Sequence, residues 1–125
     1  MDKARLLLVD DQPELLRLMG TYLPRAGYAV TCCATAGQAL EALASPGPAH
    51  DAAIVDMWLP DMDGRELVSR MASGYPQLRI LIASGAALDT DSLGVELAGR
   101  IRFLQKPYVP RTLIDSLERL LCAGR

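Results

Sequence analysis

The feature that most constrains the fold is an alternation of short apolar runs with helix-like segments, repeated five times along 125 residues. The apolar runs occupy residues 5–9, 28–33, 52–55, 79–83 and 101–105. They lack polar alternation, which is typical of parallel strands covered by helices on both faces. The pattern therefore predicts an α/β domain with a five-stranded parallel sheet.

The helix-like segments are marked by apolar spacing and by residues that favour helix ends. The first covers residues 14–26, and Thr35 is placed to cap the second. The fourth, at residues 89–99, contains Gly94, which costs a helix about 1 kcal/mol relative to Ala. The last has the clearest amphipathic spacing. No linker or internal repeat interrupts the pattern, so residues 1–125 are predicted to form one domain.

Composition excludes several classes of protein. Thirteen basic and 15 acidic residues give a net charge of -2, which argues against direct nucleic-acid binding. No apolar stretch is long enough to span a membrane, and the amino terminus does not resemble a secretory signal. Cys32, Cys33 and Cys122 are odd in number and lack metal-ligand spacing, so reduced thiols and a cytoplasmic location are expected.

Polar residues follow four of the predicted strands at their carboxyl ends. Asp10 and Asp11 follow the first strand, Asp56 the third, Ser84 the fourth and Lys106 the fifth. The ligand crevice of an open parallel sheet lies outside these strand ends. We therefore expect these five residues to converge on one rim.

Three carboxylates on one rim would repel each other, and a cation is the usual relief. Oxygen ligands without His or Cys favour a hard ion, so Mg²⁺ is predicted, with Mn²⁺ as an alternative. Lys106 would supply a fixed positive charge for a phosphate and Ser84 a hydroxyl donor. Asp56 could itself be the nucleophile and become an acyl phosphate.

In this order and at these positions, the residues resemble the receiver domain of two-component response regulators. The stretch from Asp56 to Gly64, with the sequence DMWLPDMDG, also looks like a loop of that family. The resemblance covers the whole chain. It implies a flavodoxin-like (βα)5 fold, doubly wound, with strand order 2-1-3-4-5.

The resemblance also implies roles at the acidic rim. Asp56 would be the phosphoacceptor. Asp11, Asp56 and the backbone carbonyl of Trp58 would bind Mg²⁺, and Asp10 would do so directly or through water. The domain would act as a signalling switch, and its own chemistry would be limited to self-phosphorylation and self-dephosphorylation.

Further implied roles concern the switch. Lys106 would contact the phosphoryl group, Ser84 would follow it on activation, and Phe103 matches the aromatic switch position. The peptide bond between Lys106 and Pro107 is expected to be cis. A histidine kinase or phosphotransfer protein would be the donor. An output domain or protein would bind the face made by the fourth helix, fifth strand and fifth helix, with the domain a monomer or a phosphorylation-dependent homodimer.

Two rival functions stay open on sequence alone. The first is a receiver-like interaction module that works without phosphorylation. The second is a phosphatase with an aspartate nucleophile, although such enzymes commonly have Asp-x-Asp after the first strand, where this chain has adjacent aspartates.

Individual residues also have simpler interpretations. Asp10 and Asp11 could cap the first helix, and Phe103 could be plain core. The Asp61–Asp63 pair is interpreted as a solvated turn.

Trp58 and Ala86 depart from the family, since each is apolar where a polar residue could orient water. Slow self-dephosphorylation is therefore predicted, because a bulky Trp58 over the acyl phosphate would keep water out. A partner-binding role for an exposed Trp58 is the alternative.

Overall fold

The computed structural model describes residues 4–85 and 100–122. Five strands and four helices lie in these ranges. In chain order they are β1 (Arg5–Val9), α1 (Pro13–Arg25), β2 (Ala29–Cys33), α2 (Ala36–Ala44), β3 (Ala52–Asp56), α3 (Gly64–Gly74), β4 (Arg79–Ser84), β5 (Ile101–Gln105) and α4 (Pro110–Cys122). The predicted helix at residues 89–99 lies outside the described residues, as does Ala86.

The five strands form one parallel sheet with the order β2-β1-β3-β4-β5. This is the order that the resemblance implies. Because all strands point the same way, their carboxyl ends meet at one edge of the sheet. The register places Asp56, the last residue of β3, opposite Ala83 of β4.

Helices cover both faces of the sheet because successive strand side chains point to opposite sides. On one face, Leu7, Val55 and Ile82 pack with residues of α2 and α3. On the other face, Leu8 and Ile54 pack with residues of α1 and α4. The rim that carries the acids is thus the edge of a sheet with an apolar layer on each side.

The edge strands are less buried than the inner strands. β1, β3 and β4 are almost wholly buried, as continuous apolar runs require. β2 and β5 instead have exposed positions, because each has a neighbour on one side only. Continuous burial along the strand is therefore a property of the three inner strands.

The predicted signals at the helix ends act as expected. The Thr35 hydroxyl accepts a hydrogen bond from the Gln38 N–H at the start of α2. α1 begins with Pro13 in its first turn, and Gly27 follows its end with a φ of 102°, a conformation that favours glycine. Within the described residues, no helix has the length and apolarity to cross a membrane.

Candidate functional site

Backbone pairing brings the predicted rim residues to neighbouring strand ends. Asp10 follows β1, and its N–H donates to the Cys33 carbonyl of β2. Asp56 ends β3, and Ser84 ends the adjacent strand β4. The Lys106 N–H donates to the Ser84 carbonyl at 2.8 Å, which fixes the lysine beside β4. The sheet itself therefore sets the positions of these side chains.

Three carboxylates form a cluster at the centre of this rim. Asp10, Asp11 and Asp56 each offer one oxygen, and these oxygens lie within 4.8 Å of one another. Asp10 and Asp56 are buried, with 2% and 5% of their surfaces exposed, whereas Asp11 is exposed. Two acids of the cluster are therefore buried and the third is open to solvent.

Lys106 closes the cluster from the side of β5. Its Nζ lies 2.6 Å from Asp10 Oδ2 and 3.6 Å from Asp56 Oδ1. It also donates to Gln12 Oε1 at 3.4 Å. Three carboxylates and one ammonium group leave two negative charges at the rim.

The electrostatics of Asp56 follow from this arrangement. Burial raises the pKa of its carboxyl, and the charge of Asp10 raises it further. Lys106 and the hydrogen bond from the Trp58 N–H act in the opposite direction on the pKa but do not cancel the rise. The ionised form of Asp56 is therefore held in the fold at a cost, as repulsion among clustered acids predicts.

The donor set fits a hard divalent cation. All three candidate side-chain ligands are carboxylates, which Mg²⁺ prefers, and the two excess negative charges match its charge. Asp10 already uses Oδ1 to accept the Gln12 N–H at 2.9 Å and Oδ2 for Lys106. Within the described residues, the carboxylate oxygens of Asp11 and Asp56 accept fewer hydrogen bonds, so Asp10 is better placed to hold the ion through water.

Helix capping does not account for the acidic pair. The residue that caps α1 is Gln12, and its side chain makes no capping bond. Asp10 accepts the Gln12 N–H and so shapes the turn that precedes the helix. The alternative interpretation, that Asp10 or Asp11 is the N-cap residue of α1, is therefore wrong.

Tyr108 is a residue of the site that sequence reasoning missed. Its hydroxyl is buried and has no hydrogen-bond partner among the described residues. Burial, followed by the charges of Asp10 and Asp56, raises the pKa of Tyr108 to about 12. Its position two residues after Lys106 was the available signal. The phenol therefore stays neutral beside the acids.

A cavity of about 360 Å³ opens beside Lys106. Its lining consists of residues from the start of α1 and the two segments that follow β4 and β5: Gln12, Leu15, Gly85, Lys106, Pro107 and Tyr108.

The family model described as the response regulator receiver domain matches residues 6–118, nearly the whole chain. The chain belongs to this family. The receiver domain is 34% identical to the sensor protein TorS of Escherichia coli K12, over 94% of this chain and 13% of that protein. It is 33% identical to the transcriptional regulatory protein CssR of Bacillus subtilis 168, over 91% of this chain and 49% of that protein. The receiver domain thus spans half or less of both relatives.

Solved structures agree with this assignment. A CheY-like response regulator receiver domain protein from Methanospirillum hungatei JF-1 superimposes with a TM-score of 0.81 at 28% identity, covering 94% of this chain and 93% of that one. The receiver domain has the flavodoxin-like architecture that the sequence led us to expect. It is a receiver domain of two-component signalling systems.

The remaining sequence-predicted residues of the receiver domain lie around the rim. Phe103 is half-buried on β5, where it pairs with Ile82 and packs on the α2–α3 side of the sheet. Ser84 is buried, with 3% of its surface exposed. The Lys106–Pro107 peptide bond is cis.

Trp58 lies in the loop between β3 and α3, two residues after Asp56. Its side chain is 67% exposed, so much of the indole faces solvent. Its backbone forms a β-bridge with Asp63, which in turn caps α3 by accepting the Arg65 N–H. The interpretation of Asp61–Asp63 as merely a solvated turn was therefore incomplete. The position of Asp63 just before a helix could have indicated the cap.

Proposed function

We propose that residues 1–125 form one receiver domain that accepts a phosphoryl group on Asp56 from a phosphohistidine of a histidine kinase or phosphotransfer protein. The observation that carries the proposal is a buried Asp56 carboxylate between two other acids, with Lys106 Nζ 3.6 Å away. A buried carboxylate with a cation beside it can act as the nucleophile in phosphoryl transfer.

In the proposed reaction, an Asp56 carboxylate oxygen forms a bond to phosphorus while the bond from phosphorus to the donor nitrogen breaks. The electron pair of that bond stays with the donor imidazole, which is a good leaving group when protonated. Lys106 stabilises the charge on the phosphoryl oxygens. Catalysis by the protein is then positioning and charge neutralisation.

We assign Asp11, Asp56 and the Trp58 carbonyl as ligands of Mg²⁺, with Asp10 acting directly or through water. Bound Mg²⁺ would neutralise negative charge that develops on the phosphoryl group. Mn²⁺ has no support from the site or from the relatives, and the proposal is restricted to Mg²⁺.

Phosphorylation would be read through Ser84 and Phe103. Ser84 ends β4, and Phe103 lies on the neighbouring strand β5, where it pairs with Ile82, two residues before Ser84.

We propose that the output partner binds the face of β5, α4 and the predicted helix at residues 89–99. The domain would work as a monomer or as a phosphorylation-dependent homodimer. A cytoplasmic location rests on three unpaired cysteines.

The test is intact-mass measurement after incubation with acetyl phosphate and Mg²⁺. Wild-type protein should gain the mass of one phosphoryl group, and Asp56→Asn should gain none. Asp115→Asn, a change at an exposed aspartate of α4, is the matched control and should be phosphorylated normally. Equal mass gain by wild type and Asp56→Asn would reject Asp56 as the acceptor. No gain by wild type would reject the proposed activity.

The side chain of Trp58 leads to a prediction for the lifetime of the phosphoryl group. An indole offers an attacking water one N–H donor and no acceptor, so self-dephosphorylation should be slow. Trp58→Asn places an amide at the same position and should accelerate it roughly tenfold, a small part of what positioning can supply. Loss of the phosphoryl mass with time measures both rates. A wild-type half-life of seconds, or no acceleration in the variant, would contradict the prediction.

A further inference from the structure

Asp61 attaches the loop between β3 and α3 to the first turn of α2. Its Oδ1 accepts a hydrogen bond from the Ala36 N–H at 2.9 Å, and its Oδ2 accepts one from the Gly37 N–H at 2.9 Å. Both carboxylate oxygens are used, and the partners lie 24 and 25 residues away in the chain. The loop is therefore held to a second element at two points.

The start of α2 is well suited to receive this carboxylate. Free N–H groups and the helix dipole make a helix start favourable for negative charge, and α2 has no acidic residue in its own first turn. The bonds from Gly37 and Ala36 hold the pKa of Asp61 below its ordinary value. Asp61 thus supplies from another element the charge that α2 lacks.

The loop between the metal site and Asp61 is closed on itself. Trp58 pairs with Asp63 across the loop, and the backbone of Gly64 lies directly against Met57. Leu59 and Met62 pack on the α2–α3 side of the core. A loop built in this way moves as a unit, so its attachment at Asp61 also fixes the Trp58 carbonyl three residues earlier.

We propose that Asp61 is a positioning residue that holds the Trp58 carbonyl in place for the metal ion and couples the metal site to the start of α2. The inference rests on the proposed function, because it takes the rim acids and the Trp58 carbonyl as the metal site. Asp61 itself contacts no metal or phosphoryl group.

The coupling must act in both directions, because energetic coupling between two sites is reciprocal. If the Asp61–α2 contact favours Mg²⁺ binding, Mg²⁺ binding must favour the Asp61–α2 contact. The amides of Ala36 and Gly37 should then exchange hydrogen more slowly when Mg²⁺ is present. Because Mg²⁺ also stabilises the whole fold, the slowing at Ala36 and Gly37 should exceed that of amides later in α2, an excess that a purely structural helix cap would not give.

The test compares Mg²⁺ affinity in Asp61→Ala, Asp61→Asn and Thr35→Ala. Thr35 also caps α2, by accepting a hydrogen bond from Gln38 of the same helix, so it is the matched control for loss of a cap. Fluorescence of Trp58, the single tryptophan, follows titration with Mg²⁺ alone. The Asp61 variants should bind Mg²⁺ about tenfold more weakly, the scale on which residues that orient ligands act, and Thr35→Ala should bind like wild type.

Each result has a distinct meaning. Weaker binding in the Asp61 variants alone, with slower exchange at Ala36 and Gly37 in wild type on adding Mg²⁺, supports the proposal. Equal losses in the Asp61 and Thr35 variants, or unchanged amide exchange, overturn it and leave the proposed function intact. Failure of wild-type protein to bind Mg²⁺ overturns both.

Discussion

Replacing Gly64 with alanine should destabilise the domain by about 2–3 kcal/mol, because the new methyl group has no space. A Cβ on Gly64 would lie 2.6 Å from Met57 Cα and 2.7 Å from the Met57 carbonyl oxygen. Both are backbone atoms, so a side-chain rotation cannot relieve the overlap. Met57 lies between Asp56 and Trp58, and the displacement should also weaken Mg²⁺ binding.

Urea unfolding of Gly64→Ala and Gly74→Ala provides the comparison. Gly74 ends the same helix, α3, and apart from its own helix and chain neighbours no atom of the described residues lies within 4 Å of the position of its Cβ. Since alanine favours helix more than glycine does, Gly74→Ala should be neutral or slightly stabilising. Equal stability of the two variants would contradict the close approach of α3 to the loop.

Replacing Asp56 with asparagine should make the metal-free domain more stable at neutral pH, by roughly 1 kcal/mol on the usual scale of point substitutions. The pKa of Asp56 is raised in the fold above its ordinary value of 3.8 by burial and by Asp10. At a pH above the pKa that Asp56 has in the folded state, the ionised carboxylate therefore lowers the free energy of unfolding, because ionisation is less favourable in the fold than in the unfolded chain. Asparagine has no such cost.

The same reasoning gives the direction of the pH dependence. As the pH falls through the raised pKa towards the ordinary value of 3.8, the folded state takes up the proton first, and the penalty disappears. The stability advantage of Asp56→Asn over wild type should shrink across that interval. Asp115→Asn, which removes an exposed carboxylate of α4, is the matched control. If the stability advantage of Asp56→Asn over wild type grew on acidification, the raised pKa of Asp56 would be contradicted.

Mg²⁺ should reverse the order of the two proteins. At about ten times its dissociation constant, a ligand of the folded state stabilises it by about 1.4 kcal/mol. Wild-type protein should gain this stability, and Asp56→Asn, which lacks one carboxylate ligand, should gain much less. Thermal unfolding with Mg²⁺ and with a chelator measures the difference. Equal stabilisation of both proteins would mean that Asp56 is not a ligand.

The convergence of Asp10, Asp56 and Lys106 was accessible from sequence because it depends on strand ends. Once five apolar runs are assigned to a parallel sheet, their carboxyl ends must meet. The helix starts at Pro13 and Thr35 were accessible for a similar reason, since capping chemistry is local. The strand order came from the resemblance rather than from the pattern of residues.

Other parts of the site depend on contacts between distant segments, which no local pattern encodes. Asp61 looks like a turn residue in the sequence, and only the packing of α2 beside the loop gives its carboxylate two N–H partners. The close approach of Gly64 to Met57 is likewise tertiary. The exposed positions of β2 and β5 follow from strand order, which apolar content alone does not determine.

The most direct measurement of the central claim is reductive trapping of the phosphorylated protein. Borohydride converts an aspartyl phosphate to homoserine, and peptide mass spectrometry then identifies the residue that carried the phosphoryl group. After treatment with acetyl phosphate and Mg²⁺, homoserine should be found at position 56 and should disappear when Mg²⁺ is chelated. Homoserine at position 10 or 11, or at none of the three acids, would contradict the assignment of Asp56 as the phosphoacceptor.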